Sequence, residues 1–262
     1  MPRLRRSQLD GDLHHVIFQG HNGAPLVSSA DEADELLDRL GHAFRKEDVS
    51  VASAAILTTH GHLEPIGRIE PISRAMCRAF SSFGQSHNFR LGRTGAVLDG
   101  RFWSRPVQGD GHALMLPPYI LLNARKAGLA RDVDGLAEYR WCTFARTFFD
   151  EPFPIPVDTD ALLGRYSEDI EQARQILRKL LDAGEQRWLE DLKRGTVQSV
   201  IRIVAARHGI PEDVVCSGSR DRWVAAARAE VVREVRQRGL PVSIKKLARE
   251  LGVAPRTIQR LG

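Results

Sequence analysis

Three prolines at alternate positions in the segment Asp150–Pro156 divide the chain into two parts with different patterns. Proline lacks the backbone N–H that helices and central strands use, so this segment predicts an extended connector. Before it, short apolar runs alternate with helical patterns, whereas after it the pattern is helical throughout. We therefore predict a mixed domain over residues 1–150, a connector with a linking helix over 151–195, and an all-helical domain over 196–262.

The first part predicts an α+β fold with an antiparallel sheet and its helices on one face. A hairpin is expected to turn at Asp99-Gly100, and Gly128 is expected to end a helix that runs to Lys126. After the connector, apolar residues recur at helical spacing over Asp160–Leu192. The other predicted elements are strands at His14–Gly20 and Val51–Thr59, helices at Ala33–Phe44 and Ile72–Phe83, and tail helices at Val197–His208, Arg222–Arg238, Ser243–Leu251 and Pro255–Arg260.

Composition excludes several classes of protein. With 42% hydrophobic and 27% charged residues, the 262-residue chain has the balance of a globular protein, unlike a disordered or collagen-like chain. It contains no run of 18 apolar residues, and its first residues do not resemble a signal peptide. The three cysteines lie far apart without metal-ligand spacing. These features predict a cytoplasmic protein with no membrane partner.

The charge of the chain is concentrated at its C-terminal end. Residues 1–155 carry 18 basic and 18 acidic side chains, whereas residues 193–262 carry 15 basic and 6 acidic ones, a net charge of +9. A basic domain behind a neutral one predicts a polyanionic partner for the tail. A solvated helical surface is the alternative explanation of the same charge.

The segment Ser243–Arg260 has the pattern of a helix-turn-helix. Ser243 can cap a first helix, Gly252 permits the positive φ of a tight turn, and Pro255 suits the start of a second helix. Ile258 would pack this second helix onto the first. The side chains expected to face duplex DNA are Arg256, Thr257, Gln259 and Arg260. The alternative is a short helical hairpin without a DNA partner.

The tail also resembles the C-terminal DNA-binding domain of the replication initiator DnaA. The resemblance covers about residues 196–260 and rests on Ile203–Val214 and on Ser219-Arg220-Asp221-Arg222 before a long helix. It implies that Arg220 and Arg222 contact phosphates. The Asp-His-Ser-Thr stretch that reads bases in that family is replaced by Ala254–Thr257, so no sequence specificity is implied.

Two pairs of residues in the first part could carry chemistry. In an extended strand His60 and His62 point to the same face, where two imidazoles can hold a divalent cation. On a helix Tyr119 and Asn123 are neighbours at i and i+4, so a phenol and an amide oxygen would lie together. The alternatives are polar histidines at a strand edge and a tyrosine that packs with its hydroxyl at the surface.

Over about residues 7–183 the chain resembles the REP-associated tyrosine transposases, a branch of the bacterial single-strand transposases of the HUH nuclease class. Many short stretches match in the same order. They are His15-Val16, Gly20-His21-Asn22, His60-Gly61-His62, Asp99-Gly100-Arg101-Phe102, Tyr119-Ile120 with Asn123, Ala127-Gly128-Leu129, Tyr139-Arg140-Trp141 and Val157-Asp158-Thr159-Asp160.

This resemblance implies a ferredoxin-like sandwich and a reaction on single-stranded or hairpin DNA. Tyr119 would be the nucleophile that forms a 5′-phosphotyrosine link and leaves a free 3′-hydroxyl. Mg²⁺ or Mn²⁺ would be held by His60, His62 and Asn123, and Arg101 would contact a phosphate. The expected protein is a nickase and strand transferase associated with the nucleoid, either monomer or homodimer, whose tail binds duplex DNA.

Two departures from the family pattern favour a different function. Gly61 stands where the family usually has a bulky apolar residue, which would loosen the strand. Pro117-Pro118 directly precede Tyr119 and would kink its helix or place Tyr119 in a first helical turn. The alternative is therefore a catalytically inactive, domesticated DNA-binding protein or regulator.

Overall fold

A computed structural model describes residues 11–193, 195–219 and 221–261. Its contacts divide the chain into a first unit that ends at Gly184 and a second unit that begins at Glu185. This boundary lies inside a long helix, Ile170–Lys193, in the segment expected to link the two domains.

Within the described residues of the first unit, four strands form one antiparallel sheet in the order β2-β3-β1-β4. The chain passes through them as β-α-β-β-α-β, which is the ferredoxin-like arrangement, so the predicted α+β fold class is confirmed. The strands are β1 (His14–Gln19), β2 (Ser50–Ile56), β3 (His60–Ile66) and β4 (Trp103–Pro106). The helices up to the unit boundary are α1 (Ala30–Lys46), α2 (Ile69–Arg90), α3 (Gly109–Lys126), α4 (Phe144–Phe149), α5 (Thr159–Leu163) and α6 (Ile170–Lys193).

Helices cover both faces of the sheet, so the prediction that they lie on one face was wrong. Side chains alternate along β2 and the residue after it, with Ala54 and Ile56 packed among residues of α1 and α2, and Ala55 and Leu57 packed among residues of α3 and α6. Helix α1 forms because Ser29 caps its start and a stripe of apolar side chains including Leu36 turns inward. A sheet buried on both faces can hold polar side chains away from water.

The predicted hairpin at Asp99-Gly100 does not form. Gly100 does turn the chain, with φ of 72°. However, Leu98 bridges to Gly20, and β4 pairs with β1 from His14 to Ile17. Both flanks of the turn therefore bond to the edge of β1 instead of to each other.

The helical pattern over Asp160–Leu192 forms two helices, α5 and α6, with a break between them. The break follows from local side-chain caps, since Asp169 Oδ1 accepts a hydrogen bond of 2.7 Å from the backbone N–H of Gln172. Before α5 the proline connector is extended where Pro156 and Asp158 bond to the backbone of Val51.

The described residues of the second unit that follow α6 are helical. Its helices are α7 (Val197–Arg207), α8 (Glu212–Val215), α9 (Arg222–Gln237), α10 (Ile244–Glu250) and α11 (Pro255–Leu261). Predicted helices correspond to all of these except α8. In the residues that the structure places, no helix has both the length and the apolar character needed to cross a bilayer.

Candidate active site and nucleic-acid surface

Strand β3 carries the two predicted histidine ligands in the middle of the sheet. It lies between β1 and β2, and His62 stands opposite Ile17 on one side and Ala55 on the other. His60 and His62 are buried, and their ring centroids are 5.1 Å apart. The strand geometry thus brings both imidazoles to one face, as the spacing predicts.

Each imidazole is oriented through its Nδ1 atom. Thr59 Oγ1 lies 2.9 Å from His60 Nδ1, and His15 Nε2 lies 3.0 Å from His62 Nδ1. With Nδ1 engaged, Nε2 of His62 is the nitrogen left for a ligand, and this buried atom makes no hydrogen bond. Such a contact on the far nitrogen is how proteins orient a metal-binding histidine.

Burial keeps the imidazoles of His62 and His15 neutral at physiological pH. The pKa of His62 lies well below its usual value, first because the ring is buried. Positive charge on the neighbouring His60, His15 and Lys126 side chains lowers it further. Burial likewise lowers the pKa of His15 to about 3. A neutral imidazole keeps the lone pair that a cation requires.

Tyr119 reaches the histidines from α3, in the layer of helices that covers their face of the sheet. Its ring centroid is 5.7 Å from that of His62 and 5.8 Å from that of His15, both in edge-to-face contact. The Nζ atom of Lys126 lies over the same ring, 5.3 Å from its centroid. The phenol of Tyr119, the imidazoles of His15 and His62 and the ammonium group of Lys126 therefore lie together in one site.

Asn123 lies one helical turn after Tyr119 and is buried. Its Nδ2 donates a hydrogen bond of 2.9 Å to the backbone carbonyl of Tyr119, and this fixes the orientation of the amide. The amide oxygen Oδ1 is buried and accepts no hydrogen bond. A buried acceptor without a donor is costly, so a bound cation or water is the expected partner.

The donor set fits a divalent cation such as Mg²⁺ or Mn²⁺ only as two imidazole nitrogens and one amide oxygen. Among the residues described, no group of three or more His, Cys, Asp or Glu side chains is placed to hold a metal ion. The predicted ligand set of His60, His62 and Asn123 instead takes its third donor from an amide side chain. Imidazole with oxygen ligands suits first-row divalent metals such as Mn²⁺.

The sequence reasoning missed two residues of this site, His15 and Lys126. Lys126 falls seven positions after Tyr119, so it shares a helical stripe with Tyr119 and Asn123, and this spacing could have revealed it. His15 stands on β1, a different strand, and only the strand pairing brings it to His62.

Gly61 does not loosen β3, contrary to expectation. A Cβ at this position would lie 2.4 Å from Cζ of Phe18 and 3.0 Å from Cδ1 of Ile56. The Phe18 ring thus fills the space that a bulkier residue would need, and glycine is required by packing on the face opposite to the histidines.

A Gly61→Val substitution is expected to lower the free energy of unfolding by about 1–3 kcal/mol, because it overpacks a buried ring. Urea titration of the full chain followed by circular dichroism measures the change. Gly84→Ala is the matched control, since a Cβ there meets only Val97 Cγ2 at an ordinary 3.9 Å. An unchanged unfolding midpoint for Gly61→Val would show that Phe18 moves aside freely.

Pro117 and Pro118 do not place Tyr119 in a first helical turn, so that expectation was wrong. Helix α3 runs without interruption from Gly109 to Lys126, with both prolines inside it. Tyr119 consequently lies in the interior of the helix.

Arg101, the residue of this unit that was predicted to contact DNA, is exposed in the loop before β4.

In the second unit, α10 and α11 flank a tight turn with the predicted local features. Ser243 Oγ caps α10 by accepting from the backbone N–H of Lys246, Gly252 has φ of 62°, and Pro255 begins α11. A Cβ on Gly252 would lie 2.0 Å from the carbonyl oxygen of Cys216, so the turn packs against the loop after α8. The buried apolar residues include Ile258.

The predicted DNA contacts of the second unit lie on α9 and α11. Arg256, Gln259 and Arg260 are exposed, and Thr257 is half-buried. Arg222 is exposed at the first position of α9. Arg220 lies outside the described residues.

A buried arginine, Arg228, holds the loop between α8 and α9. Its guanidinium donates hydrogen bonds to the carbonyl oxygens of Val215 at 2.7 Å, of Ser219 at 2.8 Å, and of Ser217. The sequence carried a signal for this role, because Arg228 falls on the apolar stripe of α9 with Val224 and Val231.

Comparisons with known proteins add one distant likeness. No protein-family model matches the chain, and no curated protein matches it. Among solved structures, the chain is similar to a REP-associated tyrosine transposase bound to a REP hairpin. The TM-score is 0.44 and the sequence identity 15%, over 61% of this chain and 93% of the other.

Proposed function

We propose that this protein is a metal-dependent DNA nickase and strand transferase that acts on single-stranded or hairpin DNA through Tyr119. The observation that carries the proposal is the contact of the Tyr119 ring with buried His62, whose ring lies 5.1 Å from that of His60, with Asn123 Oδ1 and His62 Nε2 both buried without hydrogen bonds. The alternative, a tyrosine with its hydroxyl at the surface and two polar histidines at a strand edge, does not account for these buried contacts.

The proposed step is attack by Tyr119 Oη on the phosphorus of a DNA phosphodiester. The new bond joins Oη to the 5′-side phosphate and the bond to the 3′ oxygen breaks, so a free 3′-hydroxyl leaves. The phenolic proton is released and the leaving oxygen takes one up, which keeps the step balanced. Strand transfer is the reverse step with a different 3′-hydroxyl.

His60, His62 and Asn123 would hold the cation beside Tyr119. A bound Mg²⁺ or Mn²⁺ supplies polarisation of the scissile phosphate and stabilises charge on its oxygens. An ordinary phenol has a pKa near 10, and Lys126 Nζ, 5.3 Å from the centroid of the Tyr119 ring, brings a positive charge to the same site.

The second unit would bind duplex DNA. Its support is the net charge of +9 over residues 193–262 and the exposed side chains of α11 beside a capped, tightly turned helix pair. Contacts to phosphates would supply affinity there, while the first unit processes the single strand. We also propose that α10 and α11 form a helix-turn-helix within a DnaA-like second unit.

Covalent capture of DNA tests the proposed reaction. We expect the full chain with Mn²⁺ to attach to 3′-labelled oligonucleotides that carry a hairpin stem and randomised single-stranded flanks. The adduct should survive SDS, disappear with EDTA, and map by mass spectrometry to the peptide that contains Tyr119. Tight binding without any adduct, under Mn²⁺ and Mg²⁺ alike, would instead favour a non-catalytic DNA-binding protein.

A further inference from the structure

The two prolines before Tyr119 leave two backbone carbonyls of α3 without their usual donors. In an α-helix the N–H of residue i bonds to the carbonyl of residue i−4. Pro117 and Pro118 have no N–H, so the carbonyls of Ala113 and Leu114 lose their intrahelical hydrogen bonds. A helix that continues through such a pair needs other donors at those positions.

Two adjacent side chains from the segment after α5 supply these donors. The hydroxyl of Tyr166 donates a hydrogen bond of 2.8 Å to the carbonyl oxygen of Leu114. Nη1 of Arg165 donates a longer one of 3.4 Å to the carbonyl oxygen of Ala113. Burial raises the pKa of Tyr166, so its hydroxyl stays protonated and remains a donor.

Arg165 also connects the helix to the strand of the histidines. The same Nη1 atom lies 2.5 Å from Oε1 of Glu64, which is fully buried on β3. Glu64 in turn accepts a hydrogen bond of 2.7 Å from Ser53 on β2. Because Glu64 is two residues after His62, both side chains project from the same face of β3.

We propose that Arg165 and Tyr166 are positioning residues for Tyr119, replacing the two donors that Pro117 and Pro118 remove. Tyr166 preserves the helix one turn before the nucleophile, and Arg165 fixes that helix relative to β3. This inference rests on the proposed function for its catalytic consequence, whereas the replacement of donors is a property of the fold. It makes the double proline a supported feature of the site.

A double-mutant cycle between Tyr166 and Pro118 tests the inference in the full chain. Tyr166→Phe removes the donor and keeps the ring, so adduct formation on the hairpin oligonucleotides should slow about fivefold while the DNA Kd changes less than about twofold. In a Pro118→Ala background the alanine N–H can bond to Leu114 itself. There, Tyr166→Phe should slow the reaction less than about twofold. Arg165 is less suitable for substitution, since its removal would leave the buried carboxylate of Glu64 without its ion-pair partner.

Unfolding in urea gives a second readout that does not depend on catalysis. Tyr166→Phe should raise the equilibrium constant for unfolding about tenfold with Pro118 present, and less than about threefold in Pro118→Ala. Tyr139→Phe is the matched control, because its hydroxyl donates to Ile56 and should have the same effect in both backgrounds.

The two readouts separate the failure of this inference from the failure of the proposed function. Equal effects of Tyr166→Phe on unfolding in both backgrounds would overturn the replacement of donors. Coupling in unfolding with no coupling in the adduct rate would overturn the positioning role. If the unaltered chain forms no adduct at all, the proposed function fails, and unfolding alone decides whether Tyr166 replaces the missing donor.

Discussion

A Tyr119→Phe variant is expected to form no covalent adduct with hairpin-flanked single strands, a loss of at least about 10³-fold. The substitution removes only the hydroxyl, and the ring can keep its edge contacts with His15 and His62. The fold and the affinity for DNA should therefore stay close to those of the unaltered chain. A time course of SDS-resistant adduct, together with fluorescence anisotropy for binding, measures both quantities.

Tyr139→Phe is the control for loss of a phenol from the same unit. The Tyr139 hydroxyl donates a hydrogen bond of 2.6 Å to the carbonyl oxygen of Ile56, so its removal costs about 1 kcal/mol of stability and spares the adduct. An adduct that persists in Tyr119→Phe would exclude Tyr119 as the nucleophile. Strand cleavage that persists without an adduct would indicate hydrolysis at the metal site.

The second large effect is expected from Arg228→Met in the second unit. The carbonyl oxygens of Val215, Ser217 and Ser219 would lose a charged donor in a buried place, which we expect to cost about 3–5 kcal/mol. Hydrogen exchange measured by mass spectrometry should show faster exchange in peptides from residues 197–261, and little change in those from 14–126.

Arg233→Met is the matched control because Arg233 is exposed on the same helix. Its effect should stay within about 0.5 kcal/mol. Similar exchange in the two variants would show that the hydrogen bonds of Arg228 to this loop add little to stability.

Sequence patterns correctly predicted the structural features that depend on interactions between residues close together in the chain. The apolar stripe of α1, the cap at Ser243 and the glycine turn at Gly252 each rest on local chemistry, and the structure confirms them. The alignment of His60 with His62 likewise follows from the period of a single strand.

Features that depend on distant contacts could not be predicted in this way. Turn residues at Asp99-Gly100 specify a bend but not the partner of the strand after it, and that partner is β1. The support of Pro117-Pro118 comes from Arg165 and Tyr166, about 50 positions along the chain, so no local pattern revealed it. His15 joins the site through strand pairing for the same reason.

The covering of both faces of the sheet limits how a nucleic acid strand can enter. Bases cannot spread over the central strands as they do on the open sheets of many RNA-binding modules. Since helices occupy both faces there, in the proposed reaction a DNA phosphate would have to reach Tyr119 through an opening at the rim of the sheet. Selection among substrates would then depend on the shape and width of that entrance more than on stacking of bases.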